Sequence, residues 1–161
     1  MTGFEGKTYW LIGASEGLGA ALARKLSEAG AELVLSARNA ERLKEVCIAL
    51  PGKATAVPMD VVDADDVNRA AKEAGDVDGV VFLAGVYWPF AASDWDAEKA
   101  NAMADVNFTG AMRVMGAVVP KMVARGSGHI VLTGSLSGFR GLPGAIGYCA
   151  SKAGVMSLAE S

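Results

Sequence analysis

The sequence predicts an open, doubly wound α/β fold built on a parallel sheet, on three observations. Short runs rich in Val, Ile and Leu alternate with longer stretches of helical period. The runs are nearly continuous in apolar character, as strands buried on both faces of a parallel sheet are. A glycine-rich turn joins the first run to the first helical stretch.

The strand candidates, in order, are Thr8–Ile12, Glu32–Ser36, Ala54–Pro58, Gly79–Leu83 and His129–Thr133, each bounded by Gly, Pro, Asp or Asn. Between them lie helix candidates at Gly17–Ala29, Ala40–Leu50, Ala64–Ala74 and one long helix from Ala97 to Arg125. In the first of these, Leu18, Ala21, Leu22 and Leu26 recur at helical spacing. Gly30, Gly75 and Gly126 follow three of the helices, where a C-terminal cap belongs. Right-handed crossovers would lay the helices on both faces of the sheet.

The chain has 161 residues, room for one domain with a substantial core, and residues 1–161 are expected to form a single unit. Hydrophobic residues make up 52% and charged residues 20%, the balance of a globular chain rather than a disordered one. The net charge is −3 and no basic stripe is present, so no nucleic-acid partner is expected. The longest uncharged stretch, Gly79 to Ser93, is too short to span a bilayer, and no membrane partner is expected. Cys47 and Cys149 are too few for a disulfide framework or a metal cluster and read as reduced thiols of a cytoplasmic protein. With one histidine, His129, and no nucleophile elbow, a Ser-His-Asp hydrolase is excluded as a working hypothesis.

The first strand runs into Gly13-Ala14-Ser15-Glu16-Gly17-Leu18-Gly19 and then into a helix. Such a turn lets backbone approach a pyrophosphate closely and aims a helix N-terminus at it, the mark of a Rossmann-type nucleotide fold. The second strand ends Ser36-Ala37-Arg38-Asn39, where dinucleotide folds meet the adenosine ribose. No acid stands there to bind a free ribose 2′-hydroxyl, and Arg38 is a natural partner for a 2′-phosphate; a solvated surface arginine is the alternative.

Tyr148 and Lys152 are spaced i, i+4, on one face of a helix. A free phenol ionises near about pH 10, and a neighbouring ammonium favours the phenolate, moving Tyr148 toward the range of a proton-transfer catalyst. Ser135 follows the fifth strand at its C-terminal end, where such sheets build their sites. Asn107 falls inside the long helix, where an Asn is mildly unfavourable and a special role is expected.

The glycine turn, the Asp60-Val61 pair, Asn107, Ser135 and the Tyr148/Lys152 pair occur in the order and spacing of the short-chain dehydrogenase/reductase family, which the chain resembles over its whole length. The resemblance implies an oxidoreductase moving hydride between NADP(H), favoured over NAD(H), and a carbonyl or secondary alcohol. It implies that Tyr148 is the general acid/base and that Ser135 positions the substrate oxygen. Lys152 would serve the phenol and the nicotinamide ribose, and Asn107 a water-mediated proton relay. Gly13, Ser15, Gly17, Leu18, Gly19, Arg38, Asp60, Val61, Ala84 and Gly85 would surround the cofactor, together with Tyr148 and Lys152. A homodimer or homotetramer is implied, through the long helix and the helix after Tyr148. Met103, Met112, Met115, Met122 and Met156 on those helices read either as that interface or as core.

Two departures from the family pattern stand out. Phe82-Leu83-Ala84-Gly85 replaces the usual Asn-Asn-Ala-Gly, a change expected to affect local stability and not chemistry. The chain also stops inside the helix carrying Tyr148, so a protein continuing beyond Ser161 is expected. The competing reading is a truncated, non-catalytic NADP-binding or dimerising module. Val86-Tyr87-Trp88-Pro89-Phe90, after the fourth strand, read either as an apolar pocket lining or as packing under a loop. The substrate itself is not legible.

Overall fold

The computed structural model describes residues 3–161. Five parallel strands, β1 (Thr8–Ile12), β2 (Glu32–Ser36), β3 (Ala54–Ala56), β4 (Gly79–Phe82) and β5 (His129–Leu132), form one sheet in the order β3-β2-β1-β4-β5. The helices are α1 (Gly17–Glu28), α2 (Ala40–Ala49), α3 (Ala64–Ala74), α4 (Ala97–Ala104), α5 (Gly110–Arg125) and α6 (Ile146–Glu160). The strand order reverses at β1, so the crevice between the ends of β1 and β4 is the topological switch point where such sheets bind ligands.

Side chains alternate across the sheet and supply two cores. Trp10, Ile12, Val34, Val80 and Phe82 face α3 and α5, where they meet Val67, Ala70, Val114 and Val118. Tyr9, Leu11, Leu33, Leu35 and Val81 face α1 and α2 and meet Ala23, Leu26 and Leu43. Phe82 is 1% exposed, so the residue that departs from the family's Asn carries core packing; truncating such a ring to Ala costs about 3–5 kcal/mol.

A buried polar chain ties β1, β2 and the end of β3 together. The Trp10 indole N–H donates to Ser36 Oγ at 2.8 Å, and that hydroxyl donates to the Val57 carbonyl at 2.7 Å. The indole is thereby satisfied in the core, where an unpaired N–H would be costly. Beyond β3 the ladder persists as Val57 N–H to Leu35 O and Met59 N–H to Ala37 O, which delivers Met59, Asp60 and Val61 to the crevice.

Several expectations are corrected. β3 is shorter than Ala54–Pro58 and only partly buried, because it is an edge strand with one neighbour. β5, the opposite edge, exposes His129, Ile130 and Val131 and so is not buried on both faces. The long helix is continuous in direction but contains a π-helical turn, Asp105–Thr109, between α4 and α5. Met115 and Met122 are buried in the core, Met103 is buried against Gly147 of α6, and Met112 is exposed. Met156 packs against the positions of Gly134 and Gly138. Of the five methionines, only Met112 is strongly exposed, at 48%.

Candidate functional site: a glycine-lined cleft and a Lys–Tyr–Asn cluster

The cleft is built at the C-terminal ends of four strands, with a volume of ≈ 710 Å³, within the range of small-molecule sites. Ile12 and Gly13 enter it from β1, Ala37, Arg38 and Asn39 from β2, Met59, Asp60 and Val61 from β3, and Leu83 to Val86 from β4. Ser15, Glu16, Leu18 and Gly19 form its floor at the start of α1.

The glycines there do different work. Gly13 has φ +93°, and a Cβ on it would lie 2.6 Å from the Ala84 backbone nitrogen, so only glycine lets the ends of β1 and β4 meet. A Cβ on Gly19 would fall 2.0 Å from the Gly13 carbonyl oxygen. Gly17 has φ +54° with open space beside it, so it turns the chain into α1 without filling the approach. The N-cap of α1, Glu16, makes no side-chain capping bond, unlike Asn39, Asp63 and Asp96 at the starts of α2, α3 and α4. The first N–H groups of α1 therefore stay available to an anion.

Where β3 delivers its chain to the cleft, the Asp60 N–H donates to Asp66 Oδ2 at 2.7 Å, and the Asp60 carboxylate accepts from the Val62 N–H at 3.1 Å. That bond from Asp60, with the Arg69 guanidinium beside it, holds the Asp66 carboxyl below the usual carboxylate range. The Val61 carbonyl accepts from Arg113, itself paired with Asp105 at 2.8 Å. Arg38 lines the cleft, with Arg42 one turn further on, and Arg42 pairs with Glu16 across the rim. Sequence reasoning passed over Arg42 and Glu16; the i, i+4 spacing from Arg38 was the available signal.

Toward α6 the polar groups are buried. Asn107 is 0% exposed and lies in the π-helical turn, a feature frequent at functional sites. Its Oδ1 accepts from the Val86 N–H at 2.7 Å, and its Nδ2 donates to the Val86 carbonyl and to Ser151 Oγ, both at 3.0 Å. Ser151 in turn donates to the Tyr148 carbonyl at 2.8 Å. Lys152 is 5% exposed and its Nζ donates to the Thr133 carbonyl at 2.8 Å, just past β5. That Nζ lies 5.8 Å from the centroid of the Tyr148 ring. Burial pushes the Lys152 ammonium below its usual range, because desolvation disfavours the charge.

Ser135 caps the 3₁₀ turn Leu136–Gly138, its hydroxyl oxygen accepting from the Ser137 N–H at 3.1 Å. This turn packs on α6: a Cβ at Gly138 would approach the Lys152 carbonyl oxygen to 3.0 Å. Gly85 bridges the two halves of the site, since a Cβ on it would lie 3.3 Å from Asn107 Oδ1 and 3.8 Å from Lys152 Nζ. Tyr148, Lys152, Ser135 and Asn107 thus sit beside the cleft and not in its lining, while Gly17 shapes the turn beneath it. Ser151, and the Thr133 carbonyl that anchors Lys152, were not singled out from sequence.

A parallel α/β sheet with an uncapped helix N-terminus at its switch point, glycine-only approaches and a buried Lys152 against a half-buried Tyr148 defines a nucleotide-dependent enzyme class of Rossmann type. The family model described as short chain dehydrogenase matches residues 7–161. A relative from Staphylococcus epidermidis, described as an uncharacterized oxidoreductase, is 36% identical over 155 residues, covering 94% of this chain and 67% of its own. One from Listeria monocytogenes, with the same description, is 34% identical and covers 96% and 65%. Among solved structures, a short chain dehydrogenase/reductase family protein superimposes with a TM-score of 0.92 at 34% identity, covering 96% of this chain and 66% of that one. Levodione reductase gives 0.90 at 26% identity, covering 96% and 64%.

The chain belongs to the short-chain dehydrogenase/reductase family of oxidoreductases. It spans about two thirds of the length of these relatives. The family implies a nicotinamide cofactor, and the cleft fits one: uncapped N–H groups of α1 for the pyrophosphate, and Gly13 and Gly19 where a side chain would intrude. No helix among the described residues is long and apolar enough to cross a membrane.

Proposed function

We propose that this chain is the cofactor-binding and catalytic core of an NADP(H)-dependent reductase or dehydrogenase acting on a carbonyl or secondary alcohol. The observation that carries the reading is the buried Lys152 ammonium held between the Thr133 carbonyl and the Tyr148 ring, beside a cleft shaped for a dinucleotide. A nicotinamide bound in the cleft supplies or accepts the hydride.

The protein's residues do the rest. Tyr148 gives its hydroxyl proton to the substrate oxygen in reduction and takes one back in oxidation. Ser135 orients that oxygen from the end of β5, and Lys152 holds positive charge next to the phenol and toward the cofactor ribose. Asn107 is a positioning residue: both its N–H groups and one carbonyl lone pair are engaged, fixing Val86 to α6 through Ser151. This arrangement favours a structural part for Asn107 over direct proton carriage.

Preference for NADP(H) is supported by Arg38 in the cleft and by Ala37 where an acid would select NAD(H). Asp60 and Val61 take the adenine, Ser15 and Leu18 the pyrophosphate turn, and Ala84 and Gly85 the middle of the cofactor. Assembly as a homodimer or homotetramer, through the long helix α4–α5 and through α6, is supported on α5 by the exposed Met112 and Val123.

The test is reduction of a panel of ketones and aldehydes followed by loss of NADPH or NADH absorbance. Turnover with NADPH, lost in Tyr148→Phe while NADPH still binds, is the expected result. A Tyr148→Phe protein that keeps most of its rate removes Tyr148 as the acid/base.

A further inference from the structure

Beyond the cleft, the segment following β4 holds an aromatic side chain against the proposed acid/base. The Tyr87 ring centroid lies 4.9 Å from that of Tyr148, with the planes tilted by 60°. Tyr87 is nevertheless 51% exposed, so this ring has one face on Tyr148 and much of its surface open.

Its position is rigidly supplied from both sides. Immediately before it, Val86 has both backbone groups bonded to the buried Asn107 amide. Three residues after it, the Phe90 N–H donates to the Gly144 carbonyl at 3.0 Å and Phe90 forms a parallel bridge with Ala145. Gly144 and Ala145 immediately precede α6, which carries Tyr148. Between the two anchors, the Trp88 N–H reaches Met103 Sδ at 3.5 Å. The segment is thus a strap fastened at both ends, and Tyr87 is the ring it presents beside Tyr148.

The surroundings carry almost no charge. Residues 79–93, 130–139 and 141–151 contain no Asp, Glu, Lys or Arg; Asp78, Asp94, Arg140 and the buried Lys152 stand at their ends. Apart from Lys152, whose Nζ is bonded to the Thr133 carbonyl, a charged substrate group would find no partner in residues 86–90 or 130–139, and desolvating it unpaired is expensive. A planar apolar group would find the open face of Tyr87, in offset or edge contact.

We propose that Tyr87 is a specificity-determining residue and that the substrates are uncharged carbonyl compounds, or their alcohols, bearing an aromatic ring next to the reacting carbon. This rests on the proposed function, since it assigns the substrate class of that same site. The ring of the substrate packs on Tyr87 while its oxygen meets the Tyr148 hydroxyl.

The experiment measures binding of acetophenone, 4-acetylbenzoate and acetone to the NADP⁺-loaded protein by calorimetry, and turnover of the same ketones with NADPH. In the native protein, acetophenone should bind more tightly than either of the others. Tyr87→Ala should weaken acetophenone about three- to tenfold, the worth of one aromatic pair, and leave acetone within about twofold. Tyr87→Phe should restore acetophenone binding, because the ring and not the hydroxyl is used. Should the Ala variant fail to fold, Tyr87→Leu, checked by thermal melting, takes its place and should show the same selective loss. Equal losses for acetone and acetophenone would mean that Tyr87 only supports Tyr148, and would overturn the proposal. So would tighter binding of 4-acetylbenzoate, no measurable acetophenone binding, or an unchanged acetophenone affinity in Tyr87→Ala or Tyr87→Leu. Selective binding without turnover of any ketone would instead count against Tyr148 chemistry and leave the Tyr87 assignment standing.

Discussion

Asn107 closes both backbone hydrogen bonds of Val86, accepting from its N–H at 2.7 Å and donating to its carbonyl at 3.0 Å. A side-chain amide here does what a neighbouring strand would do, just where the β4 ladder has ended. The π-helical turn that contains Asn107 gives the side chain its place between the strap and α6. Asn107→Ala should therefore lower stability by about 1–3 kcal/mol, since it leaves two part-buried backbone groups of Val86 without their partner. Urea unfolding reads this directly, and an unchanged midpoint would remove the bridging role.

Lys152 makes stability depend on pH in a predictable direction. Its folded pKa is depressed by desolvation, so the unfolded chain binds a proton that the folded chain has released. Stability should rise with pH from that depressed value up to the ordinary lysine value of about 10.4. Below the window both states are protonated and this contribution is flat. Lys152→Met should abolish that part of the slope, measured as the difference between the two proteins' unfolding free energies across alkaline pH. A difference that is flat, or falls with pH, would contradict the assignment.

Arg38 and Ala37 should govern the choice of cofactor. Removing one charge-assisted phosphate partner costs about 1.5–3 kcal/mol, so Arg38→Ala should weaken NADPH roughly ten- to hundredfold and NADH little. Adding Ala37→Asp should bring NADH ahead, because an acid at the strand end receives the free ribose hydroxyl. Titration of each cofactor by protein fluorescence quenching distinguishes these outcomes. A native protein that already favours NADH would overturn the cofactor reading.

The glycines of the turn should separate packing from ligand approach. Gly13→Ala places a Cβ 2.6 Å from the Ala84 nitrogen at φ +93°, so it should unfold or strongly destabilise the domain. Gly17→Ala meets open space, and its cost should stay near the 1–2 kcal/mol of a left-handed residue, about. Thermal melting of the two variants should rank them in that order. Equal stability would show that β1 and β4 can move apart.

Much of this protein is written locally. The Val- and Leu-rich runs marked all five strands, because burial on a sheet demands apolar residues wherever the chain falls. The glycine turn was legible because a strand-to-helix turn at a phosphate needs backbone without side chains, and Tyr148 and Lys152 because helical spacing alone puts them on one face.

What the tertiary structure decided lies in contacts between residues far apart in sequence. No local pattern shows that the Lys152 ammonium ends on the Thr133 carbonyl, that Ser151 meets Asn107, or that Tyr87 leans on Tyr148. The same holds for Met115 and Met122, which could equally have covered an interface but pack into the core under the sheet, and for Met103, which is buried against α6. The edge position of β3 likewise follows from strand order, which is a property of the assembled sheet and of no single strand. Helical period and apolar runs are short-range demands on the chain, whereas hydrogen-bond partners and neighbours are chosen only when distant segments compete for the same buried space.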